Sequence, residues 1–472
     1  MGSGTHSSQI DFIKSCFLYN KLQIVLVIRK EMNIIFLDKR KDLWYNTIMI
    51  DLLKQIISDF HSRNLPEFKK RKLKVPLNLD KIITIIGPRR AGKTWYLFQL
   101  ITELENAGVK REQILYINFE DERLDFSNNY DLIIQAWLEL YPEFSLADLY
   151  IFFDEIQELP NWEKYVRRIY DTVTNKIVLT GSNAKLLSKD IATSLRGRSL
   201  SYELMPLSFV EFLLFNDVDV KKKYSTKTKS KIKHLFYKYL VWGGYPELVG
   251  LEENFKSQIL QEYFNVMIYK DLVERYAIKD VSIVKYLIKR MISCFSKEFS
   301  VNKLYNELKS KGFSISKDTV YKLVEQIYTI YLLTTIEKYE QSIIKRELTN
   351  KKLYLYDNGF VSAVQYLFSD EKGKLLENLV FNFLKSKYKS VFFIKNGFEC
   401  DFVVFPKENK TMLIQVTDFL HSDNINRELA GLVKSSKKFK NAEMLLLINN
   451  KENNLQIPDN IKVKQTYEWI LE

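Results

Sequence analysis

The chain has 472 residues, 46% hydrophobic and 14% aromatic, with only 15 Gly and 9 Pro. That composition excludes a disordered or fibrous polymer, and the length suggests about two to four domains. Basic residues number 71 against 58 acidic, a net charge of +13; this is compatible with nucleic acid but too diluted along the chain to identify it. Three cysteines, Cys16, Cys294 and Cys400, form no C-x-x-C pair, which argues for a reducing cytosol and against structural zinc. No apolar run reaches the length of a membrane span, so no membrane partner is expected.

The first 48 residues read as an extension. Met1 to Ser8 is small and polar like a tag, and Leu22 to Ile28, flanked by Lys21 and Arg29, is too short for a signal peptide. From Met49 the pattern becomes regular, and Ile50–Phe60 has helical apolar spacing. The basic run Lys69-Lys-Arg-Lys-Leu-Lys74 reads as a solvated face.

The segment 49–204 is expected to be a nucleotide-binding domain. Lys81-Ile-Ile-Thr-Ile-Ile86 is a buried strand by its β-branched run, and Trp95–Ile101 has the character of a packed helix. Between them Gly87-Pro88-Arg89-Arg90-Ala91-Gly92-Lys93-Thr94 fits the phosphate-cradling P-loop. There the glycines let backbone N–H groups surround a phosphate, and the helix starting near Lys93 and Trp95 adds its positive dipole end. Lys93 would reach the β- and γ-phosphates of ATP, and Thr94 would complete a Mg²⁺ shell. Further strands follow at Ile114–Phe119, Leu149–Phe153, Ile177–Thr180 and Leu200–Leu204, alternating with helical segments as in a parallel α/β sheet. The third ends at Asp154-Glu155, 61 residues beyond Lys93. An aspartate there can hold Mg²⁺, and the next carboxylate can polarise a water.

These stretches, with Tyr116-Ile-Asn-Phe-Glu-Asp121, Phe152-Phe-Asp-Glu-Ile-Gln157, Leu179-Thr-Gly-Ser-Asn183 and Leu195-Arg-Gly-Arg198, resemble the AAA+-type ATPases common in archaea and bacteria. More narrowly they resemble the set whose C-terminal half is an uncharacterised domain shared across that family. Gly243-Gly-Tyr-Pro-Glu247, Lys270–Tyr276, Tyr356-Asp-Asn-Gly359, Gly373–Asn378 and Glu399–Val403 extend the match. The resemblance implies that Asn183, with Ser182, is a polar sensor and that Asn118 restrains the catalytic Glu155. It also implies that Arg196 and Arg198 stand where an arginine finger would act on a neighbouring subunit, which would make the protein a homo-oligomer; each equally suits a surface ion pair.

Residues 205–279 read as a helical lid, with a capping-box start at Ser208 and a basic segment from Lys221. Residues 280–345 suggest a winged helix, with Ser316 capping a helix whose Lys317, Thr319, Tyr321 and Lys322 would face a DNA groove. The same module equally suits packing between domains or binding protein. In 346–472, a helix Glu377, a strand Asp401 and the strand Leu413–Thr417 resemble the core of restriction-endonuclease-like folds. Gln415 and Thr417 stand where such enzymes need an acid and a lysine, so a degenerate, non-cleaving domain is expected. The expected fold class is therefore α/β: a P-loop NTPase parallel sheet with helical lid, a winged-helix segment and a C-terminal α/β nuclease-like domain. The expected function is Mg²⁺-dependent ATP hydrolysis in the cytoplasm, coupled to DNA; a nucleotide-gated protein-binding switch and an ATP-gated nuclease are the alternatives.

Overall fold

The computed structural model describes residues 38–124, 129–182, 195–220, 224–364, 371–407, 410–439 and 441–472. Most of the expected extension 1–48, as well as Asn183 and the Lys221–Lys223 cluster, lies outside the described residues. The chain divides into two compact units, Met1–Arg63 with Asp125–Ser145, and Asn64–Leu124 with Leu146–Glu472. In the first, helix Asp38–Ser62 runs unbroken across Met49 and packs on helix Asp131–Leu140, burying Leu53, Ile57 and Trp137.

The second unit begins with five strands: β1 (Ile82–Ile86), β2 (Ile114–Asn118), β3 (Tyr150–Asp154), β4 (Ile177–Gly181) and β5 (Ser199–Glu203). They lie in the order β2-β3-β4-β1-β5, and every pairing is parallel. All five residues of β1 and all five of β4 are buried, which is why they read as unbroken apolar runs instead of alternating ones. Because β4 lies between β1 and β3, the carboxyl ends of all three are neighbours. Ile86 pairs with Gly181, and Phe153 with Leu179. This is the edge at which open α/β sheets bind ligands.

Helices follow at Phe209–Phe215, Thr226–Trp242 and Glu253–Val266, the last continuing as a π-helical stretch over Met267–Glu274. The first of them carries the expected capping box, Ser208 with Glu211. Helices Val281–Ile292, Val301–Ser310 and Lys317–Tyr328 then occupy the stretch expected to be a winged helix. With them go the strands β6 (Lys297–Phe299), β7 (Leu333–Lys338) and β8 (Lys351–Leu355), joined antiparallel as β6-β8-β7.

The remaining strands are β9 (Val391–Lys395), β10 (Glu399–Lys407), β11 (Lys410–Leu420), β12 (Glu443–Lys451) and β13 (Ile461–Gln465). β7 pairs with β9 in parallel, so a single eight-stranded sheet runs from β6 to β13. The expected division at residue 345 falls between β7 and β8, two strands paired in that sheet. One continuous apolar core links Leu207 to Ile470.

A buried carboxylate pins the two halves of this unit. Asp357 Oδ2 accepts from the Gly244 N–H and Oδ1 from the Gly359 N–H, both at 2.8 Å. Burial pushes its carboxyl up to about 7 despite those two bonds. Gly243 passes so close that a Cβ would stand 1.7 Å from Asp357 Oδ1, and its φ of 73° is in the left-handed region. Gly243→Ala should therefore destabilise the protein by about 3 kcal/mol in urea unfolding, from clash and backbone strain together; a loss within ~0.5 kcal/mol would contradict this packing.

Candidate active site

The loop between β1 and the helix Lys93–Asn106 is shaped by its glycines. Gly87 lies so close to β5's exit that a Cβ would meet the Leu204 carbonyl oxygen at 2.1 Å. Gly92, with φ 91°, is the N-cap of the helix and offers no side chain to its first-turn N–H groups, which leaves them directed at whatever anion the loop holds. Ala91 N–H closes a turn onto the Pro88 carbonyl. Trp95 is 46% exposed, with its ring edge on Phe98.

Lys93 is buried, and its ammonium has three neighbours: the Gly87 carbonyl at 3.3 Å, the Pro88 carbonyl at 3.2 Å and Glu155 Oε1 at 3.1 Å. Thr94 Oγ1 donates to Asp154 Oδ2 at 2.7 Å. Asp154 also accepts from the Tyr116 hydroxyl at 3.1 Å and from Thr180. Burial and the neighbouring Glu155 raise its carboxyl above the usual range, against the pull of the Thr180 and Thr94 hydroxyls and Lys93.

Glu155 adopts a left-handed backbone, φ 50° and ψ 49°, and its N–H donates to Thr180 Oγ1 at 2.9 Å. Such a backbone in a non-glycine residue is strained and persists because its surroundings hold it. Burial opposes ionisation of Glu155, but Lys93, Gln157 and Arg89 outweigh it and keep its carboxyl below the usual range. The site thus joins Lys93, Thr94, Asp154 and Glu155 in direct contact.

The other residues singled out in the sequence are placed as follows. Asn118 accepts from the Glu120 N–H through its Oδ1 at 3.0 Å; both Glu155 oxygens are instead engaged by Lys93 and Gln157. Ser182 is buried at the end of β4. Arg198 pairs with Asp171 at 2.9 Å, and Arg196 has φ 50°. Arg89 donates to Asp271 at 2.8 Å and to Glu120 at 2.6 Å, and Arg90 sits 5.7 Å from the centre of the Tyr263 ring. Both loop arginines are thereby tied to the helix of Glu253–Val266 and its π-helical continuation.

Sequence reasoning missed several of these partners. The run Lys69–Lys74 is not uniformly solvated: Arg71 is buried and pairs with Glu211 at 2.9 Å. It also donates to the Ala91 carbonyl at 2.7 Å, so it braces the phosphate loop from outside. Tyr116, Gln157 and Thr180 lay inside quoted motifs, but only the fold shows that β2 brings Tyr116 and β4 brings Thr180 to β3, and that the turn after β3 brings Gln157 back to Glu155.

At the second site, Glu377, Asp401, Gln415 and Thr417 lie on the expected helix and strands. A lysine from elsewhere in the chain, which the sequence reading did not consider, stands among these carboxylates. Lys352, from β8, lies 2.8 Å from Glu377, 3.1 Å from Glu399 and 3.3 Å from Asp401. Burial disfavours its charge, but Glu377, Tyr354, Asp401 and Glu399 more than compensate and raise its pKa. Burial and Glu377 push the Asp401 carboxyl up to about 8. Gln415 bonds Glu428 at 2.8 Å, and Thr417 turns to the Phe419 carbonyl. Among the described residues, no three His, Cys, Asp or Glu side chains are grouped to hold a metal ion. Lys352→Met should cost about 3–5 kcal/mol in chemical unfolding, because the buried Asp401 and the largely covered Glu377 lose their counter-ion; an unchanged midpoint would show that the cluster carries no stability.

Comparison with known proteins gives matches along most of the chain. The model of an AAA domain matches residues 79–213, and that of a domain of unknown function matches 233–371. The uncharacterized protein MJ1544 of Methanocaldococcus jannaschii is 37% identical, over 86% of this chain and 91% of its own length. An uncharacterized protein of Haemophilus influenzae is 30% identical, over 83% and 95%. Among solved structures, an Orc1 protein of Aeropyrum pernix in complex with DNA is 11% identical, covering 67% of this chain and 91% of that one. Its TM-score of 0.28 is too low to bear on function.

Proposed function

This chain belongs to one family with the uncharacterized protein MJ1544 of Methanocaldococcus jannaschii and carries a match to an AAA domain over residues 79–213, and from that premise we propose that it binds ATP with Mg²⁺ and hydrolyses it. The observation that carries this reading is the meeting of Lys93, Thr94, Asp154 and Glu155 at the adjoining carboxyl ends of β1 and β3. The loop fits a triphosphate: helix N–H groups uncapped by any side chain, a buried ammonium and two glycines with positive φ. The Thr94 hydroxyl and Asp154 carboxylate, 2.7 Å apart, fit Mg²⁺, which takes one or two protein ligands and completes its shell with water and phosphate. Bound there, Mg²⁺ would neutralise charge on the β- and γ-phosphates.

The chain's own groups do the rest. Lys93 exchanges Glu155 and the loop carbonyls for phosphate oxygens. Glu155, released from that ion pair and still ionised, accepts a proton from the attacking water. Arg196 or Arg198 supplies charge to a neighbouring copy's nucleotide in a homo-oligomer, Arg198 first leaving Asp171. Ser182, which follows β4, and Asn183, next in sequence, take the sensor role that the resemblance implies. Glu155→Gln should lower ATP turnover by at least 100-fold, read as phosphate release with Mg²⁺. Turnover within a few-fold of wild type would remove Glu155 from the chemistry.

For the coupled target, the surface of helix Lys317–Tyr328 favours DNA. Lys317, Thr319, Tyr321 and Lys322 are all exposed, while Val320, Leu323, Val324 and Ile327 are buried beneath them. A solvent-facing pair of lysines with an aromatic side chain suits a phosphate backbone. Replacing Lys317 and Lys322 by Ala should reduce the slope of log affinity against log salt by about 2 for duplex DNA. Salt-independent or absent DNA binding by the wild type would instead direct the search to protein partners.

A further inference from the structure

Glu155 is followed by a short 3₁₀ turn, Ile156–Glu158. Its left-handed backbone reverses the chain at the end of β3, so Gln157 folds back beside the carboxylate. Gln157 Nε2 donates to Glu155 Oε2 at 2.6 Å. The same nitrogen lies 3.4 Å from Glu158 Oε1 and 3.5 Å from Ser182 Oγ. Two carboxylates on that side fix which way the amide faces, since only its nitrogen can donate. Its Oε1 is buried and has no hydrogen-bond partner among the described residues, an arrangement that costs free energy and that packing alone does not require.

Lys93 and Gln157 therefore divide Glu155 between them, one on each oxygen. They will not behave alike when a nucleotide arrives. Lys93 is drawn to the phosphates, whereas an uncharged amide gains nothing by following. Gln157 is then the contact that sets the rotation of the carboxylate, and through Ser182 it spans β3 and β4.

We propose that Gln157 is the positioning residue of the hydrolytic site: it holds the Glu155 carboxylate in the orientation that accepts the water's proton and links that orientation to Ser182 at the end of β4. This rests on the ATPase reading above. The amide transfers no proton and bonds to no reacting atom; it acts through Glu155, as side-chain amides that orient a hydrolytic group do elsewhere in phosphoryl transfer.

The test uses the full chain with Mg²⁺ and measures steady-state ATP hydrolysis for wild type, Gln157→Ala, Gln157→Glu and Glu155→Gln, with melting temperature as a check on folding. The expected result is a kcat lower by about 10–100-fold in Gln157→Ala, with KM within about twofold, because an orienting contact is lost while the phosphate loop is intact. Gln157→Glu, which replaces the donor by a like charge, should fall at least as far with its fold preserved. It keeps the proposal testable should the alanine variant fail to fold. A wild-type kcat in either folded variant, or a loss in KM alone, would overturn the proposal. If wild type shows no turnover that Glu155→Gln removes, the site reading itself fails, and the inference with it.

Discussion

The buried ion pair between Lys93 and Glu155 is the contact on which the rest of the proposed nucleotide site depends. Both side chains are almost fully enclosed, so breaking the pair without a replacement partner would leave a buried charge uncompensated. The pair forms because β4 inserts between β1 and β3, bringing the phosphate loop beside the end of β3. Thr180 then holds both members of the Asp154-Glu155 step, accepting from one N–H and donating to the other's carboxylate. A strained Glu155 backbone is the local consequence. The pair is stable as it stands, yet its lysine is the group a triphosphate would draw away. A resting site with its own counter-ion is thus also a site ready to exchange it.

The same use of buried charge recurs outside the loop. Arg71 ties the loop carbonyl of Ala91 to Glu211 of the first helix after the sheet, and Arg89 ties the loop to Asp271 in the π-helical stretch. π-Helical turns tend to accompany functional positions, and this one carries the carboxylate that meets the loop arginine. In the eight-stranded sheet, Lys352 gathers Glu377, Glu399 and Asp401 around a single ammonium. The cation that these carboxylates surround is thus tethered to the chain.

What the sequence disclosed follows from the range of the interactions. β1, β3, the phosphate loop and the Asp154-Glu155 step are local patterns, each set by a few adjacent residues, and each was legible. Glu377, Asp401 and Gln415 were singled out by a family resemblance, and they lie on the helix and strands expected for them. Lys352 was not legible, because it precedes Asp401 by 49 residues and reaches it only when β8 joins the sheet. Arg71 was misread because a lysine-rich run looks solvated until one member finds a buried glutamate 140 residues on. Gln157 stood in a quoted motif, but only the left-handed turn at Glu155 shows where its amide points.

The most direct test of the exchange at Lys93 is the affinity of ATP for wild type and Glu155→Gln, measured by calorimetry with Mg²⁺. If Glu155 competes with phosphate for the ammonium, the neutral variant should bind ATP several-fold more tightly. Equal or weaker binding would show that the two anions do not share Lys93, and would contradict the account given of this site.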